Sequence, residues 1–209
     1  MRKKNEIRGI FFDLGGVLVE KSKHNKVFKD NIARLHIPAQ AFGRIARDEI
    51  AALEKGKESS AKFWRHLARR LHVAPLPARA ASSLFRESYK KHARINRRVL
   101  AVAQQLRAHG YPVGIISNTI DDHTVVMKKW KLFQYFDPVL LSNEIGLRKP
   151  ERKIFRLASR KIGIPPENLL FIDDTPYCIA GARKCGFKTI LFKSSVQLRK
   201  RLKALGVLG

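Results

Sequence analysis

Residues 7–19 read IRGIFFDLGGVLV, and this stretch decides how the rest of the sequence is interpreted. The apolar run before Asp13 is short and has the length of a buried strand. Gly15 and Gly16 follow, and they let the backbone turn tightly and come close to a ligand. A carboxylate at such a strand end can attack phosphorus and form an aspartyl-phosphate. Taken alone, an aspartate here more often caps an ordinary turn.

Two more stretches supply a hydroxyl and an ammonium group. Ser117 and Asn118 follow the apolar run VGII, and the serine hydroxyl with its neighbouring amides can hold a phosphoryl oxygen. Lys149 stands in GLRKPE directly before Pro150, which disfavours helical geometry at the lysine. An ammonium held there in extended backbone can project toward a crevice and stabilise negative charge in a transition state.

A fourth stretch, LLFIDDTP, ends a predicted strand with Asp173 and Asp174. Two adjacent carboxylates repel each other unless a cation neutralises them. Mg²⁺ typically takes one or two carboxylates together with phosphate oxygens. Ligands in open α/β sheets bind beyond the carboxyl ends of parallel strands. We therefore expect the polar groups of all four stretches to converge around a divalent cation in one crevice.

The charge of the chain is extreme. Its 209 residues include 43 Lys and Arg against 17 Asp and Glu, which gives a net charge of +26. Such a field fits either a generally basic surface or an anionic partner such as nucleic acid, an acidic protein or a phosphorylated substrate. The basic residues are spread along the whole chain, and no basic run alternates with aromatic residues as in single-strand binders. This pattern favours the basic surface and leaves a nucleic-acid partner open.

The sequence also suggests where the protein resides. No apolar run approaches the roughly 20 residues of a membrane-spanning helix. The basic and then apolar amino terminus is interpreted as a first strand, because Asp13 interrupts it too early for a signal peptide. We expect a soluble, cytoplasmic protein with no membrane partner. Cys178 and Cys185 lie about 10 Å apart along a predicted helix, so they are expected to be reduced structural thiols.

The order of the patterns predicts an α/β fold. From residue 97 onward helices alternate with strands at 112–117, 138–142, 168–172 and 187–192, which predicts a Rossmann-like parallel sheet with helices on both faces. Between residues 20 and 96 strand patterns disappear and helical spacing takes over. We therefore predict a core domain of residues 1–19 and 97–209 and an inserted all-helical domain of residues 20–96.

In its four motifs the chain resembles the haloacid dehalogenase-like (HAD) hydrolase superfamily. FFDLGGVLV is similar to the first motif, IISNT to the second, GLRKPE to the third and FIDDTPYCIAGARKCGF to the fourth. The helical insert is similar to the C1 cap of that family, which closes over the core, excludes water and selects the substrate. DLGGVL also resembles a subgroup of sugar-phosphate and epoxide-hydrolase-associated phosphatases.

The resemblance implies a role for each site residue. Asp13 would be the nucleophile and a Mg²⁺ ligand, Ser117 and Lys149 would hold the phosphoryl group together with Asn118, and Asp174 would complete the metal site with help from Asp173. The implied function is a Mg²⁺-dependent phosphatase that acts on a small phosphorylated metabolite through an aspartyl-phosphate. Val17 and the Asp173–Asp174 pair favour this chemistry over that of a metal-free dehalogenase.

One position departs from the pattern of most phosphatases in the superfamily. They carry a second aspartate two residues after the nucleophile, and it protonates the leaving group and activates water. Here that residue is Gly15, which keeps the backbone carbonyl that the family uses as a metal ligand but has no acid–base side chain. Such a loss typically costs about 10²–10⁴-fold in rate. A good leaving group could compensate, or Glu20 or His24 could supply the proton.

Two further functions stay open. The chain could be a catalytically weakened module that binds nucleic acid or another polyanion through its basic surface, or a phosphatase that acts on nucleotides or nucleic-acid ends. Substrate selection would lie in the insert, where the candidates are His24, Asn25, Lys57, Phe63 and Trp64. Helical spacing places Phe63 and Trp64 in the core of the insert instead. The sequence does not predict the oligomeric state.

Overall fold

The structure, a computed structural model, describes residues 6–20, 31–33, 40, 49–72, 74 and 77–209. A five-stranded parallel sheet has the order β3-β2-β1-β4-β5. The strands are β1 (Gly9–Phe12), β2 (Val113–Ser117), β3 (Val139–Leu141), β4 (Leu169–Asp173) and β5 (Lys188–Leu191). The predicted Rossmann-like fold class is confirmed.

The strand order brings the ends of β1 and β4 together. The chain runs outward from β1 to β2 and β3, and then returns to place β4 on the other side of β1. Phe12 pairs with Ile172, and the amide of Asp13 donates to the carbonyl of Ile172 at 2.9 Å. This reversal of strand order is the point at which α/β sheets of this kind bind ligands.

Helices cover both faces of the sheet. They are α1 (Ser60–Arg70), α2 (Ala78–His92), α3 (Arg97–Ala108), α4 (Asp121–Lys129), α5 (Ser142–Ile145), α6 (Arg152–Ile162), α7 (Pro176–Arg183) and α8 (Ser195–Ala204), with 3₁₀ turns at Leu132–Tyr135 and Pro166–Asn168. One buried apolar cluster joins Ile10 and Phe12 to α3 and α8, and a second joins Phe11 to α6 and α7. Alternate residues of β1 thus face opposite layers.

Where the structure describes it, the insert between β1 and α3 consists mainly of helical segments joined by turns and short irregular stretches. Residues 49–54 are helical, and they share an apolar cluster with α1 and α2. Phe63 and Trp64 are buried in this cluster, and the ring centroids of Trp64 and Phe85 lie 4.8 Å apart. These two residues therefore pack the insert, as their spacing indicated. His24 and Asn25 lie outside the described residues, and the domain limits stay a prediction.

Local details depart from the sequence-based expectations in two places. The four-residue helix α5 was not predicted. Cys178 lies on α7, whereas Cys185 lies beyond its end, and both are free thiols. In the described part of the chain, no helix combines the length and apolarity needed to cross a membrane.

Candidate active site

Lys149 forms the centre of the site, between two carboxylates. Its Nζ lies 2.7 Å from Oδ1 of Asp13 and 2.6 Å from Oδ2 of Asp173, and its side chain is 2% exposed. Asn118 holds the lysine backbone from both sides: its Nδ2 donates to the Lys149 carbonyl at 3.0 Å, and its Oδ1 accepts from the Lys149 amide at 2.8 Å. The ring of Phe171 lies 5.2 Å from Nζ. The loop that carries Lys149 is therefore fixed to the end of β2.

The electrostatics of this cluster keep the lysine charged. Burial by itself lowers the pKa of Lys149, but Asp13 and Asp173 outweigh it and raise the pKa above the ordinary value. Burial raises the pKa of Asp13 to about 7, and repulsion from Asp173 adds to this effect while Lys149 opposes it. The cluster thus holds a permanent ammonium against a carboxylate that is costly to ionise.

Three carboxylates meet at the edge of the sheet. Asp13, Asp173 and Asp174 each offer an oxygen, and these oxygens lie within 4.8 Å of one another. Both oxygens of Asp173 are already engaged, one by Lys149 and the other by the amide of Thr175 at 2.7 Å. Asp13 and Asp174 both line the adjoining cavity. A hard divalent cation would relieve their repulsion, so this donor set fits Mg²⁺.

Gly16 shapes the turn that faces Asp174. Its φ is +84°, and a Cβ on it would lie 2.6 Å from the carboxyl carbon of Asp174. The amide of Gly16 donates to the carbonyl of Val19 at 2.8 Å, which closes the turn after Asp13. A side chain at this position would push Asp174 away from the cluster. Glycine is therefore needed here for both conformation and space.

A cavity of about 280 Å³ opens onto this cluster, and we call it the catalytic pocket. Of the predicted site residues it is lined by Asp13, Gly15, Asn118, Lys149 and Asp174. Ser117 and Asp173 are fully buried and do not line it. The Ser117 hydroxyl lies 3.4 Å from the Asn118 carbonyl. Asp173 instead orients Lys149 from behind.

The catalytic pocket also contains residues that sequence reasoning missed. Glu54 reaches it from the insert, and Thr175, Tyr177 and Cys178 reach it from the start of α7. Burial raises the pKa of Cys178 to about 12, so its thiol is neutral at pH 7. The only sequence signal for Glu54 was Gly56 two residues later, which marked a turn but did not show where that turn lies.

Two candidates from the sequence lie elsewhere. Glu20 lines a separate, larger groove next to Asp174 and does not line the catalytic pocket. The Glu20 amide donates to the Arg94 carbonyl at 3.0 Å. This hydrogen bond joins the segment that leads into the insert to the segment that leads out of it. Lys57 is exposed on the turn after residues 49–54. Neither residue is among those that line the catalytic pocket, and the role of Glu20 as a proton donor stays a prediction.

Comparisons with known proteins agree with this geometry. A glyceraldehyde 3-phosphate phosphatase from Pyrococcus furiosus is 31% identical over 202 residues, which cover 90% of this chain and 81% of that protein. An (S)-2-haloacid dehalogenase from Pseudomonas fluorescens is 27% identical over 196 residues, 87% of this chain and 82% of that protein. A HAD family enzyme from Bacteroides thetaiotaomicron, solved as a magnesium complex, matches with a TM-score of 0.69 and 26% identity over 90% of this chain and 93% of that chain. The model of the haloacid dehalogenase-like hydrolases matches residues 7–186, and the chain belongs to this family.

Proposed function

We propose that the protein is a Mg²⁺-dependent phosphatase that hydrolyses a small phosphorylated metabolite through an aspartyl-phosphate on Asp13. The observation that carries the proposal is the ion-paired cluster of Asp13, Lys149 and Asp173 at the floor of the catalytic pocket, with Asp174 beside it. A related protein named glyceraldehyde 3-phosphate phosphatase supports the substrate class. The volume of about 280 Å³ lies at the low end of ligand pockets, which favours a small substrate.

The residues of the chain supply most of the required chemistry. Asp13 attacks phosphorus, and the bond from phosphorus to the ester oxygen breaks as the aspartyl-phosphate forms. The ammonium of Lys149 stabilises the negative charge on the phosphoryl oxygens and reduces their repulsion with Asp13. Asn118 keeps Lys149 in position. Mg²⁺, held by Asp13, Asp174 and the Gly15 carbonyl, would neutralise the phosphoryl group and lower the barrier to attack.

Substitution of the nucleophile tests the proposal. Purified protein should hydrolyse p-nitrophenyl phosphate with Mg²⁺, and Asp13→Asn should abolish turnover while retaining the fold. Asp137→Asn is the matched control, because Asp137 is exposed and lies far from the pocket residues in the chain. Hydrolysis that survives in Asp13→Asn would show that another residue is the nucleophile.

A substrate panel then separates the candidate activities. It contains three-carbon sugar phosphates, phosphoglycolate, nucleotides, 5′-phosphorylated oligonucleotides and a (S)-2-haloacid. We expect the highest kcat/KM with the small phosphate monoesters. Release of halide without release of phosphate from any monoester would favour the chemistry of the dehalogenase relatives instead.

A second candidate function, the binding of a single nucleic-acid strand, is favoured by the larger groove. This basic groove has a volume of about 1620 Å³ and reaches Gly16 and Asp174. The cations that line it are Lys90, Arg94, Arg97, Arg98 and Lys193. Arg97 and Arg98 occupy the first turn of α3, where the helix dipole disfavours positive charge. Trp130 and Tyr135 also line the groove and offer partly exposed rings to bases.

Two variants that each lose three cations distinguish binding in the basic groove from attraction by net charge alone. The variant Arg97→Gln/Arg98→Gln/Lys193→Gln removes three cations from the basic groove. The control Lys153→Gln/Arg156→Gln/Arg160→Gln removes three exposed cations from α6. With a labelled single-stranded oligonucleotide at near-physiological salt, only the groove variant should lose affinity. Equal losses of affinity in both variants would mean that the association depends on net charge alone.

A further inference from the structure

The turn after Asp13 carries no side chain that could donate the proton that cleavage of an alkyl phosphate ester requires. Attack by Asp13 and departure of the leaving oxygen lie roughly in line, so the leaving group exits on the side opposite the floor. Gly15, beside the nucleophile, has no side chain to protonate it. An alkoxide that leaves without a proton is a poor leaving group. A donor is therefore expected on the side of the pocket that faces the insert.

Within the described part of the insert, Glu54 is the carboxyl group that reaches that side. It ends the helical residues 49–54 and lines the same pocket as Asp13 and Lys149. Its Oε2 lies 2.7 Å from Nη2 of Arg148, the residue before Lys149, and its side chain is only 18% exposed. The next residue, Lys55, pairs with Glu151 at 2.6 Å. These two ion pairs fix the carboxyl group over the loop that carries the catalytic lysine.

Among the residues that the structure describes, the other titratable groups around the pocket are unsuited to this role. They are Asp13, Arg148, Lys149, Asp174, Tyr177 and Cys178. Lys149 is held between two carboxylates, and the pKa values of Tyr177 and Cys178 are both raised to about 12, chiefly by burial. Burial raises the pKa of Glu54 above its ordinary value, although Arg148 and Lys149 oppose the shift. Glu54 therefore retains a proton at higher pH than an exposed glutamate.

We propose that Glu54 is the general acid and base of the reaction and replaces the side chain that Gly15 lacks. The inference rests on the proposed phosphatase function. As Asp13 attacks phosphorus, the ester oxygen takes the bond electrons and accepts the proton of Glu54, which yields the alcohol and a Glu54 carboxylate. This carboxylate then removes a proton from water, whose oxygen attacks the phosphorus of the aspartyl-phosphate. The bond between phosphorus and the Asp13 oxygen breaks, inorganic phosphate leaves, and Asp13 is again a carboxylate and Glu54 again protonated.

Leaving-group dependence tests the proposal. The substrates are p-nitrophenyl phosphate, whose phenolate leaves without a proton, and the alkyl phosphate of the panel that wild type hydrolyses fastest. In Glu54→Gln, kcat/KM should fall about 10²-fold or more for the alkyl phosphate and stay close to wild type for the aryl phosphate. This parameter covers only the steps up to the release of the alcohol. Glu54→Asp should restore part of the alkyl activity.

Arg148→Gln controls for a purely structural role. It removes the same ion pair with the insert but keeps the carboxyl group. If Glu54 only holds the insert in place, Arg148→Gln and Glu54→Gln would lower kcat/KM equally for both substrates, and the proposal would be wrong. If Glu54 is the acid, only Glu54→Gln lowers kcat/KM for the alkyl phosphate more than for the aryl phosphate. In wild type, hydrolysis of the alkyl phosphate then declines at alkaline pH as Glu54 loses its proton, and Glu54→Gln removes this decline.

Failure of this inference is distinguishable from failure of the proposed function. A wild-type protein that hydrolyses aryl but no alkyl phosphates remains a phosphatase and contradicts the role of Glu54. A wild-type protein that hydrolyses no phosphate ester at all contradicts both.

Discussion

Ionisation of the buried Asp13 carboxyl lowers the stability of the fold. Burial is the main cause that raises the pKa of this carboxyl from 3.8 to about 7. Between about pH 4 and pH 7 the folded protein therefore holds a proton that the unfolded chain releases, and stability falls as pH rises through this window. A buried aspartate with such a cost is consistent with selection for chemistry rather than for stability.

Replacement of Asp13 by a neutral isostere should therefore stabilise the metal-free protein. We expect Asp13→Asn to raise the free energy of unfolding by on the order of 2 kcal/mol at pH 8, because the variant avoids a buried charge. The gain should approach zero near pH 4, where wild-type Asp13 is already protonated. Urea denaturation in EDTA at both pH values measures it, with Asp137→Asn as control. A gain of equal size at both pH values would mean that ionisation of Asp13 is not its cause.

Binding of Mg²⁺ should restore part of the stability that is lost when the buried Asp13 ionises. Millimolar Mg²⁺ should raise the Tm of the EDTA-treated wild type, because a ligand that binds only the folded state stabilises it. The rise should be larger at pH 8 than at pH 5, since carboxylate ligands bind in their deprotonated form. Thermal denaturation of Asp174→Asn should show little of the rise, and Asp137→Asn should show all of it. An equal rise in both variants would place the ion elsewhere.

At the scale of the elements, the sequence predicted the sheet better than the insert. The central strands are short apolar runs, and the topology of parallel strands then brings Asp13 and Asp173 together. Lys149 lies on no strand, yet Pro150 and the turn signals located its loop. The position of Glu54 in the catalytic pocket could not be predicted, because it depends on how the insert folds back over the sheet. Helical spacing identifies the buried face of a helix but not the element that covers it.

Gly56 is one of the points at which the described part of the insert touches the core. Its φ is +66°, and a Cβ on it would collide with the carbonyl of Asn143. Gly110 has a φ of +82° but open space around it, so Gly110→Ala isolates the backbone strain, about 1–2 kcal/mol. Gly56→Ala should add a displacement of the insert and lower kcat/KM about tenfold or more, since small misplacements are costly in catalysis. Steady-state kinetics and urea denaturation of both variants measure the two effects. Equal activity in the two variants would mean that this contact does not position the insert.

At the scale of the whole molecule, charge is the dominant feature. Even if each of the 17 carboxylates paired with one cation, 26 of the 43 Lys and Arg side chains would stay unpaired. Surface ion pairs such as Lys128 with Glu144 contribute little under these conditions. Self-repulsion of the excess charge destabilises the compact state. Because the cations are spread along the chain, local sequence patterns do not reveal which of them gather in the basic groove.

Screening should therefore stabilise the protein. Raising KCl from about 0.01 M to about 0.1 M shortens the Debye length from about 30 Å to about 10 Å. We expect the free energy of unfolding to rise by about 1 kcal/mol, which corresponds to roughly 2–4 °C in Tm for a chain of this size. If the repulsion is spread evenly over the surface, the groove variant and the α6 variant, each with three fewer cations, should both be more stable than wild type at low salt by a similar amount. A larger gain in the groove variant would show that the repulsion is concentrated around Arg97, Arg98 and Lys193. A wild-type Tm that falls as salt rises would show that ion pairs outweigh the repulsion.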